Sequence, residues 1–456
     1  MKRFKRVMKK IGKGILILII ALAVVHSIAS YVLGRRLEAK IAEIKAQGDP
    51  ISTLNLGKNT VPDSENAAGI YLKIFEKIGY PIIYQNGAPR FRRGGLDLGP
   101  YGYWHSLYIT ENDGERTPEM WESARRSLTA YPSISVLIDK AISMPNCQFP
   151  MNWKDGPLVT LPHYASIGKL SELLYTRALV NAHYGDMDSA VKDVSRILGI
   201  SRSIRNEPVM AGQAIRYGII RNGTRCIQYM LRCGLDDRQI RLLEDALADG
   251  DMHEGYVVGI KGERALSITS FRILIAGRNV FMWAPDNLIP LHLRVRPLIY
   301  IWRPLLYVDM MKSMDSLSHH IDEAEAPILH RMKTYSGQEK SAGYTLLADW
   351  WPDMLSGSQS SRDVCETRIL SCRTMLNLMR YKHRFGAYPE SLDVLRSKLN
   401  VDVPVDPMSG KDFVYKRQGD GFLLHSIGAN MRDDGGKSVA SPHETEPDDI
   451  VWSMTK

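Results

Sequence analysis

The feature that most limits how this chain can fold is a charge-free apolar segment near its N-terminus, Gly14 to Gly34, which reads GILILIIALAVVHSIASYVLG. A helix that rises about 1.5 Å per residue needs about 20 such residues to cross roughly 30 Å of hydrocarbon. Residues 1–34 are therefore predicted to form a basic head and a transmembrane anchor, with the lipid bilayer as the partner of residues 14–34.

The charges that flank this segment predict its orientation. The head carries seven basic residues and no acidic one: Lys2, Arg3, Lys5, Arg6, Lys9, Lys10 and Lys13. On the other side, Arg35 and Arg36 are soon followed by Glu38 and Glu43, so the positive-inside rule places the N-terminus in the cytoplasm. We expect a single-pass protein of the bacterial inner (cytoplasmic) membrane, with the bulk of the chain extracytoplasmic.

Two further inferences follow from this N-terminal segment. The formal charge of +9 falls to +2 once the seven basic residues of the head are set aside, which removes the electrostatic argument for nucleic acid as a partner. The alternative to an anchor is a cleaved signal peptide, with an apolar core from Ile15 to Val25 and a small-residue site at residues 27–29.

Residues 35–355 are predicted to form a mostly helical extracytoplasmic domain. Its clearest element is a helical hairpin from Tyr164 to Arg205, where two stretches of helical periodicity flank a Gly-Asp turn. The segment from Phe281 to Met311 mixes aromatic residues, prolines and arginines, and two interpretations stay open: a core segment wedged between helices, or a contact with the membrane surface.

The five cysteines are predicted to be buried free thiols. Cys226 and Cys233, like Cys365 and Cys372, are seven residues apart on predicted helices, so their Cα atoms are separated by about 10.5 Å along the axis. This distance exceeds the reach of a disulfide. A bridge between the two pairs, or to Cys147, is the alternative in an oxidising compartment.

Residues 362–456 are predicted to form a small α+β module, separated from the helical middle by a linker, SGSQSS, at residues 356–361. The module begins with a strong helix that Gly386 stops, followed by a short helix to about Leu399. The sequences DFVYK and GFLLHS then alternate as two strands joined through Gly419-Asp420-Gly421, and an acidic loop follows.

This order of elements resembles the C-terminal domain of the major pseudopilins of type II secretion systems. The residues that support the resemblance are Gly386, Ala387, Tyr388, Pro389, Ser391, Leu392, Pro404, Asp406, Pro407, Tyr415, Ser426 to Ala429, Gly435, Gly436 and Asp449 to Trp452. It implies a calcium site, with Asn430 and Asp449 as side-chain ligands and Asp433, Asp434 and Asp448 nearby; a loop rich in oxygen donors suits this hard cation. The whole chain also resembles uncharacterised bacterial membrane-anchored proteins with a helical middle.

The function predicted from these features is that of a membrane-anchored extracytoplasmic scaffold or interaction protein, with protein partners in the envelope and a link to envelope or secretion assembly. The sequence contains no GxSxG elbow, Walker phosphate loop or GxGxxG motif, so no catalytic or cofactor-binding residue is predicted. The alternative is a membrane-tethered metal-dependent hydrolase that uses His319, His320 and Glu323 on one helix.

A third possibility is a subunit of a secretion filament. The apolar segment lacks the Glu of a prepilin-peptidase site, and more than 300 residues separate the anchor from the C-terminal module. Both features differ from the pseudopilin pattern and disfavour this role.

Overall fold

The computed structural model describes residues 2–58, 61–85, 88–91, 116–129, 134–248, 252–276, 296–326, 328, 350–428, 430–437 and 449–454. Within these ranges the chain is mostly helical, with one long apolar helix at the N-terminus and a small antiparallel sheet at the C-terminus. The predicted fold class is confirmed at this level.

The α-helices are numbered in chain order, and the short 3-10 helices are left out. They are α1 (Lys2–Ala46), α2 (Thr53–Leu56), α3 (Ala68–Lys77), α4 (Pro118–Leu128), α5 (Ile134–Ile142), α6 (His163–His183), α7 (Met187–Ser203), α8 (Met210–Cys233), α9 (Asp237–Ala248), α10 (His253–Ile275), α11 (Arg296–Asp322), α12 (Trp350–Phe385) and α13 (Leu392–Leu399). The strands are β1 (Ile82–Gln85), β2 (Ala88–Phe91), β3 (Val405–Asp406), β4 (Lys411–Asp412), β5 (Val414–Gln418), β6 (Gly421–Ser426) and β7 (Ile450–Ser453).

Helix α1 runs without a break from the basic head through the charge-free segment and into the body of the protein. Its part from Arg6 to Ala46 is long and apolar enough to cross a membrane, and it contains the exposed apolar side chains that a bilayer would cover. After the charge-free segment ends at Gly34, Leu37, Ile41 and Ile44 of the same helix are buried against α10 and α11. The helix ends before Gly48, whose positive φ of 83° turns the chain away.

The helical middle is built around the α6–α7 hairpin, and the predicted hairpin is confirmed. Asp186 caps α7 by accepting a hydrogen bond from the backbone N–H of Ser189 at 3.1 Å. Ala178 and Ala190 are fully buried where the two helices meet. Helix α8 packs against both members of the hairpin, and its other side contacts α10 and α12.

Helix α10 approaches the segment before α8 more closely than a side chain would allow. A Cβ built on Gly262 would lie 1.4 Å from the carbonyl oxygen of Pro208. The next residue, Glu263, is buried and accepts a hydrogen bond from the backbone N–H of Met210 at 2.9 Å. Arg264 turns to the other side and pairs with Asp49, which follows α1.

The predicted linker at residues 356–361 is wrong. These residues lie inside α12, which extends 36 residues from Trp350 to Phe385. Buried Arg362 places its guanidinium 4.9 Å from the ring of Tyr256, and the Tyr256 hydroxyl donates to Gln359 at 3.3 Å. Packing therefore keeps a Ser- and Gly-rich sequence helical, although its intrinsic helix propensity is low.

The C-terminal module has the predicted helix, short helix and hairpin. Strands β5 and β6 pair antiparallel across Gly419 and Asp420, and β7 adds to the other edge of β6. Phe422, Leu424 and Trp452 of this sheet belong to the same hydrophobic core as residues of α6, α8 and α12. The core is thus continuous across the position where the sequence predicts a boundary.

All five cysteines are free, so neither pair is joined to the other or to Cys147, and the prediction of burial is wrong for Cys233. Cys226, Cys365 and Cys372 are buried and Cys147 is partly buried, whereas Cys233 is exposed. The three buried thiols each lie near a backbone carbonyl of a neighbouring helix, at 3.4 to 3.8 Å.

Candidate metal centre in the C-terminal module

The candidate site lies where β6 ends and β7 begins, beside the acidic loop. In their antiparallel register, His425 pairs with Val451 and Ser426 pairs with Ile450. Asp449, which directly precedes β7, is therefore brought next to the end of β6 although 24 residues separate it from His425 in the chain.

Asp449 is the most enclosed acidic residue of the site. One carboxylate oxygen, Oδ2, accepts hydrogen bonds from the backbone N–H groups of Asp434 at 3.0 Å and Gly436 at 2.8 Å. The other oxygen, Oδ1, is buried and has no hydrogen-bond partner among the described residues. A buried carboxylate oxygen without a donor is costly, so Oδ1 is the atom of this site that would gain most from a positively charged partner.

The loop that supplies these N–H groups depends on glycine. Gly435 and Gly436 have φ values of 78° and 76°, in the left-handed region that favours glycine. A Cβ on Gly436 would also lie 2.9 Å from the Leu423 side chain. The two glycines let the backbone fold over β6 and point its N–H groups at Asp449.

His425 of β6 is the third residue of the site and contacts both Asp433 and Asp449. Its Nε2 lies 2.9 Å from Oδ1 of Asp433 and 3.7 Å from Oδ2 of Asp449, and its side chain is only 4% exposed. The hydrogen bond from His425, helped by the backbone N–H of Gly435, lowers the pKa of the Asp433 carboxyl. Single ligand atoms of His425, Asp433 and Asp449 all lie within 4.8 Å of one another.

Of the five predicted metal ligands, two belong to this group. Asp433 and Asp449 converge, whereas Asn430 and Asp434 bond to each other through Asn430 Nδ2 and Asp434 Oδ2 at 2.7 Å. Asp448 lies outside the described residues. In this arrangement Asn430 shapes the loop, since its Oδ1 also accepts from the backbone N–H of Arg432 at 2.9 Å.

His425 is the residue that sequence reasoning missed. It stands in the predicted strand GFLLHS, where alternation places it on the face opposite Phe422 and Leu424. The available signal is a histidine on the face opposite Phe422 and Leu424, five residues before Asn430 of the acidic loop. Its meaning becomes clear only with the pairing of β6 and β7, which the sequence did not reveal.

The donor set combines one imidazole nitrogen with carboxylate oxygens. Carboxylates suit calcium, magnesium and manganese, while an added imidazole suits zinc and other transition metals. The chemistry of these residues therefore fits a divalent cation. Ligation by the carboxylates alone would favour calcium, magnesium or manganese, and ligation by His425 as well would favour a transition metal.

The alternative cluster on α11 is arranged differently. His319 Nε2 lies 3.3 Å from Oε1 of Glu323, and both follow helical spacing. His320 is 1% exposed, and burial together with His319 lowers its pKa to about 4. Among the described residues, these three are not a group whose ligand atoms converge as those of His425, Asp433 and Asp449 do.

Comparisons of the chain with models of protein families, with curated proteins and with solved structures found no match.

Proposed function

We propose that this chain is a membrane-anchored extracytoplasmic scaffold or interaction protein of the bacterial inner membrane, with a role in envelope or secretion assembly. The observation that carries the proposal is the continuity of α1. The helix that contains the charge-free segment also contributes Leu37, Ile41 and Ile44 to a core shared with α10 and α11. A body joined to its anchor in this way is held at a fixed height above the bilayer, as an assembly platform requires.

Polar contacts support the same rigid connection. Lys40 of α1 pairs with Asp315 of α11, and Arg272 of α10 lies 3.3 Å from Glu38 of α1. Each exposed ion pair contributes little by itself. Together with the buried apolar contacts, they fix the rotation of α1 against the two helices it touches.

We further propose that the C-terminal module is pseudopilin-like and that a divalent cation, with calcium as the expected ion, holds its acidic loop closed. Asp449 would offer Oδ1 while Oδ2 keeps its two backbone donors, and Asp433 would offer the second carboxylate. Bound there, the ion supplies positive charge between the two carboxylates and links the loop to β6 and β7. Its binding energy would add to the stability of the folded module.

The cation is tested by thermal melting of the purified full chain after treatment with chelator, with calcium, zinc or manganese added back. An ion at a hundred times its dissociation constant should stabilise the native state by about 2.7 kcal/mol and raise the melting temperature. Asp449→Asn should abolish the shift. Asp420→Asn, which removes the same charge from the exposed β5–β6 turn, should preserve it.

The ions distinguish the ligands. A shift with calcium that survives His425→Gln would mean that oxygens alone complete the site, while a zinc shift lost in that variant would make His425 a ligand. If no ion moves the melting temperature, the cation proposal fails and the scaffold proposal stands on the anchor alone.

The scaffold role is tested by co-purification of the full chain from solubilised membranes. We expect a partner, or a second copy of the chain, in near-stoichiometric amounts compared with an unrelated single-pass protein prepared in parallel. Repeated purification of a monomer with no enriched partner would contradict the proposal.

A further inference from the structure

Helix α11 runs parallel to the anchor, and its first turns lie beside the charge-free segment. Three contacts between the helices show their relative direction and register: His26 with the Tyr300 and Ile301 carbonyls, Gly34 with the Tyr307 ring, and Lys40 with Asp315. The residue numbers rise together along the two helices. The start of α11 is therefore the end that lies next to the middle of the anchor.

The depth of the first contact follows from helix geometry. The charge-free segment ends at Gly34, and His26 precedes it by eight residues, which is about 12 Å along the axis. Half of a hydrocarbon core is about 15 Å thick. With residues 14–34 in the bilayer, as the proposed function requires, the contact of His26 with α11 lies inside the outer leaflet.

The surface of α11 at this level is apolar and open. Tyr300 and Ile301 are 61% and 60% exposed, and Leu305 one turn later is 44% exposed. They continue the exposed apolar surface of α1, where Val25 and Ile28 are 63% and 59% exposed. Exposed apolar side chains that extend a membrane-spanning surface are covered by lipid at the same depth.

A backbone carbonyl of α11 that lacks its helical hydrogen bond receives one from α1, as a helix surrounded by lipid requires. Pro304 has no N–H, so it leaves the carbonyl of Tyr300, four residues before it, without its helical donor. His26 Nε2 donates to that carbonyl at 3.1 Å and to the carbonyl of Ile301 at 3.0 Å. Neighbouring helices satisfy backbone groups freed by proline in this manner within membranes.

The polar residues nearby fit an outer-leaflet position. The Arg303 guanidinium lies 5.7 Å from the Tyr300 ring, and a long arginine side chain can bury its stem while its charge reaches the headgroups. Tyr307 lies against Gly34, at the expected boundary between hydrocarbon and headgroups, where tyrosine is enriched.

We propose that the first turns of α11, from Ile299 to Tyr307, are inserted into the outer leaflet beside α1 and form a second membrane contact of this chain. The partner is the lipid bilayer itself: acyl chains around Ile301 and Leu305, and headgroup phosphates near Arg303. This inference rests on the anchor role of α1 proposed above.

The test places a fluorophore at Ile301→Cys in the full chain, in a Cys233→Ser background that removes the exposed native thiol. The protein is reconstituted into phosphatidylcholine vesicles that contain lipids with a nitroxide quencher near the top of the acyl chain. Leu18→Cys, 59% exposed near the N-terminal end of the charge-free segment, marks a site in lipid. Val136→Cys, 76% exposed on α5, marks a site in water.

We expect the label at residue 301 to be quenched several-fold more than the label at residue 136. Quenching at 301 equal to that at 136, with strong quenching at 18, would overturn the inference and leave the anchor intact. An unquenched label at 18 would overturn the anchor and this inference together.

Discussion

At the scale of single residues, the close approach of α10 to the start of α8 makes Gly262 the most sensitive position of the described core. A methyl group there would overlap the Pro208 carbonyl oxygen, a backbone atom that cannot rotate away. We expect Gly262→Ala to destabilise the protein by about 3 kcal/mol or more, at the upper end of overpacking costs.

The matched control is Gly168→Ala in α6, where a Cβ would meet nothing within 4 Å. Alanine should gain up to about 1 kcal/mol there through its higher helix propensity. Thermal melting of both variants measures the contrast. Equal melting temperatures would mean that α10 does not approach Pro208 this closely.

Glu263 should make stability depend on pH in a distinctive direction. Burial raises its pKa from 4.5 to about 7, against the opposing effect of the Met210 N–H. Between these values the native state holds a proton that the unfolded state has lost, so stability falls as pH rises from about 4.5 to about 7. The loss should be on the order of 2–3 kcal/mol.

Glu263→Gln provides the comparison, because glutamine keeps an oxygen for the Met210 N–H but does not ionise. Urea unfolding at several pH values should show the two proteins converging near pH 4.5, with the variant more stable above about pH 7. Parallel pH profiles for both would contradict the assigned burial of Glu263.

At the scale of elements, the helical state of residues 356–361 can be tested by proline. Ser360→Pro removes a backbone donor from the interior of α12 and should cost about 3 kcal/mol or more. Ser360→Ala should leave stability nearly unchanged, since Ser360 is exposed. In a flexible linker both variants would melt like the parent protein.

The contact between α1 and α11 predicts a coupling between His26 and Pro304. His26→Ala leaves the Tyr300 carbonyl without a donor and should cost about 0.5–1.5 kcal/mol. In a Pro304→Ala background the new N–H bonds to that carbonyl, so the same change should cost less. A double-mutant cycle on the detergent-solubilised chain measures the difference, and a coupling energy of zero would argue against the contact.

At the scale of the whole molecule, the sequence predicted those elements whose pattern of apolar and turn residues is local. The apolar segment, the α6–α7 hairpin and the β5–β6 hairpin each have a pattern contained within a few tens of residues. The helical continuation of α12 through SGSQSS was not predictable, because contacts of Gln359 and Arg362 with distant Tyr256 override the local preference.

The candidate site was predicted only in part for the same reason. Asp433 and Asp449 could be named from an acidic loop that resembles a known pattern. His425 joins them through the register of β6 with β7, a pairing that skips the residues between the two strands. Long-range strand register leaves little trace in a single sequence when one strand is only four residues long.

Topology provides a further prediction at this scale, and Cys233 is a natural reporter of it as the exposed native thiol. A membrane-impermeant maleimide should label it in cells whose outer membrane has been permeabilised. Neighbouring groups partly desolvate the sulfur of this otherwise exposed residue and raise the pKa of the thiol, so the reaction is best run at mildly alkaline pH.

The control is Lys5→Cys in a Cys233→Ser background, which should react only after the inner membrane is lysed. The reverse pattern of labelling would mean that the body faces the cytoplasm.

The unbroken course of α1 also bears on how strongly partners need to bind. A 45-residue helix is about 68 Å long. With α1 as the proposed anchor, a body fixed to its outer end would keep one face toward the bilayer and diffuse in two dimensions. Restricting orientation and position in advance removes much of the entropy cost of association. Contacts too weak to be detected between soluble fragments can then be sufficient for assembly on the membrane.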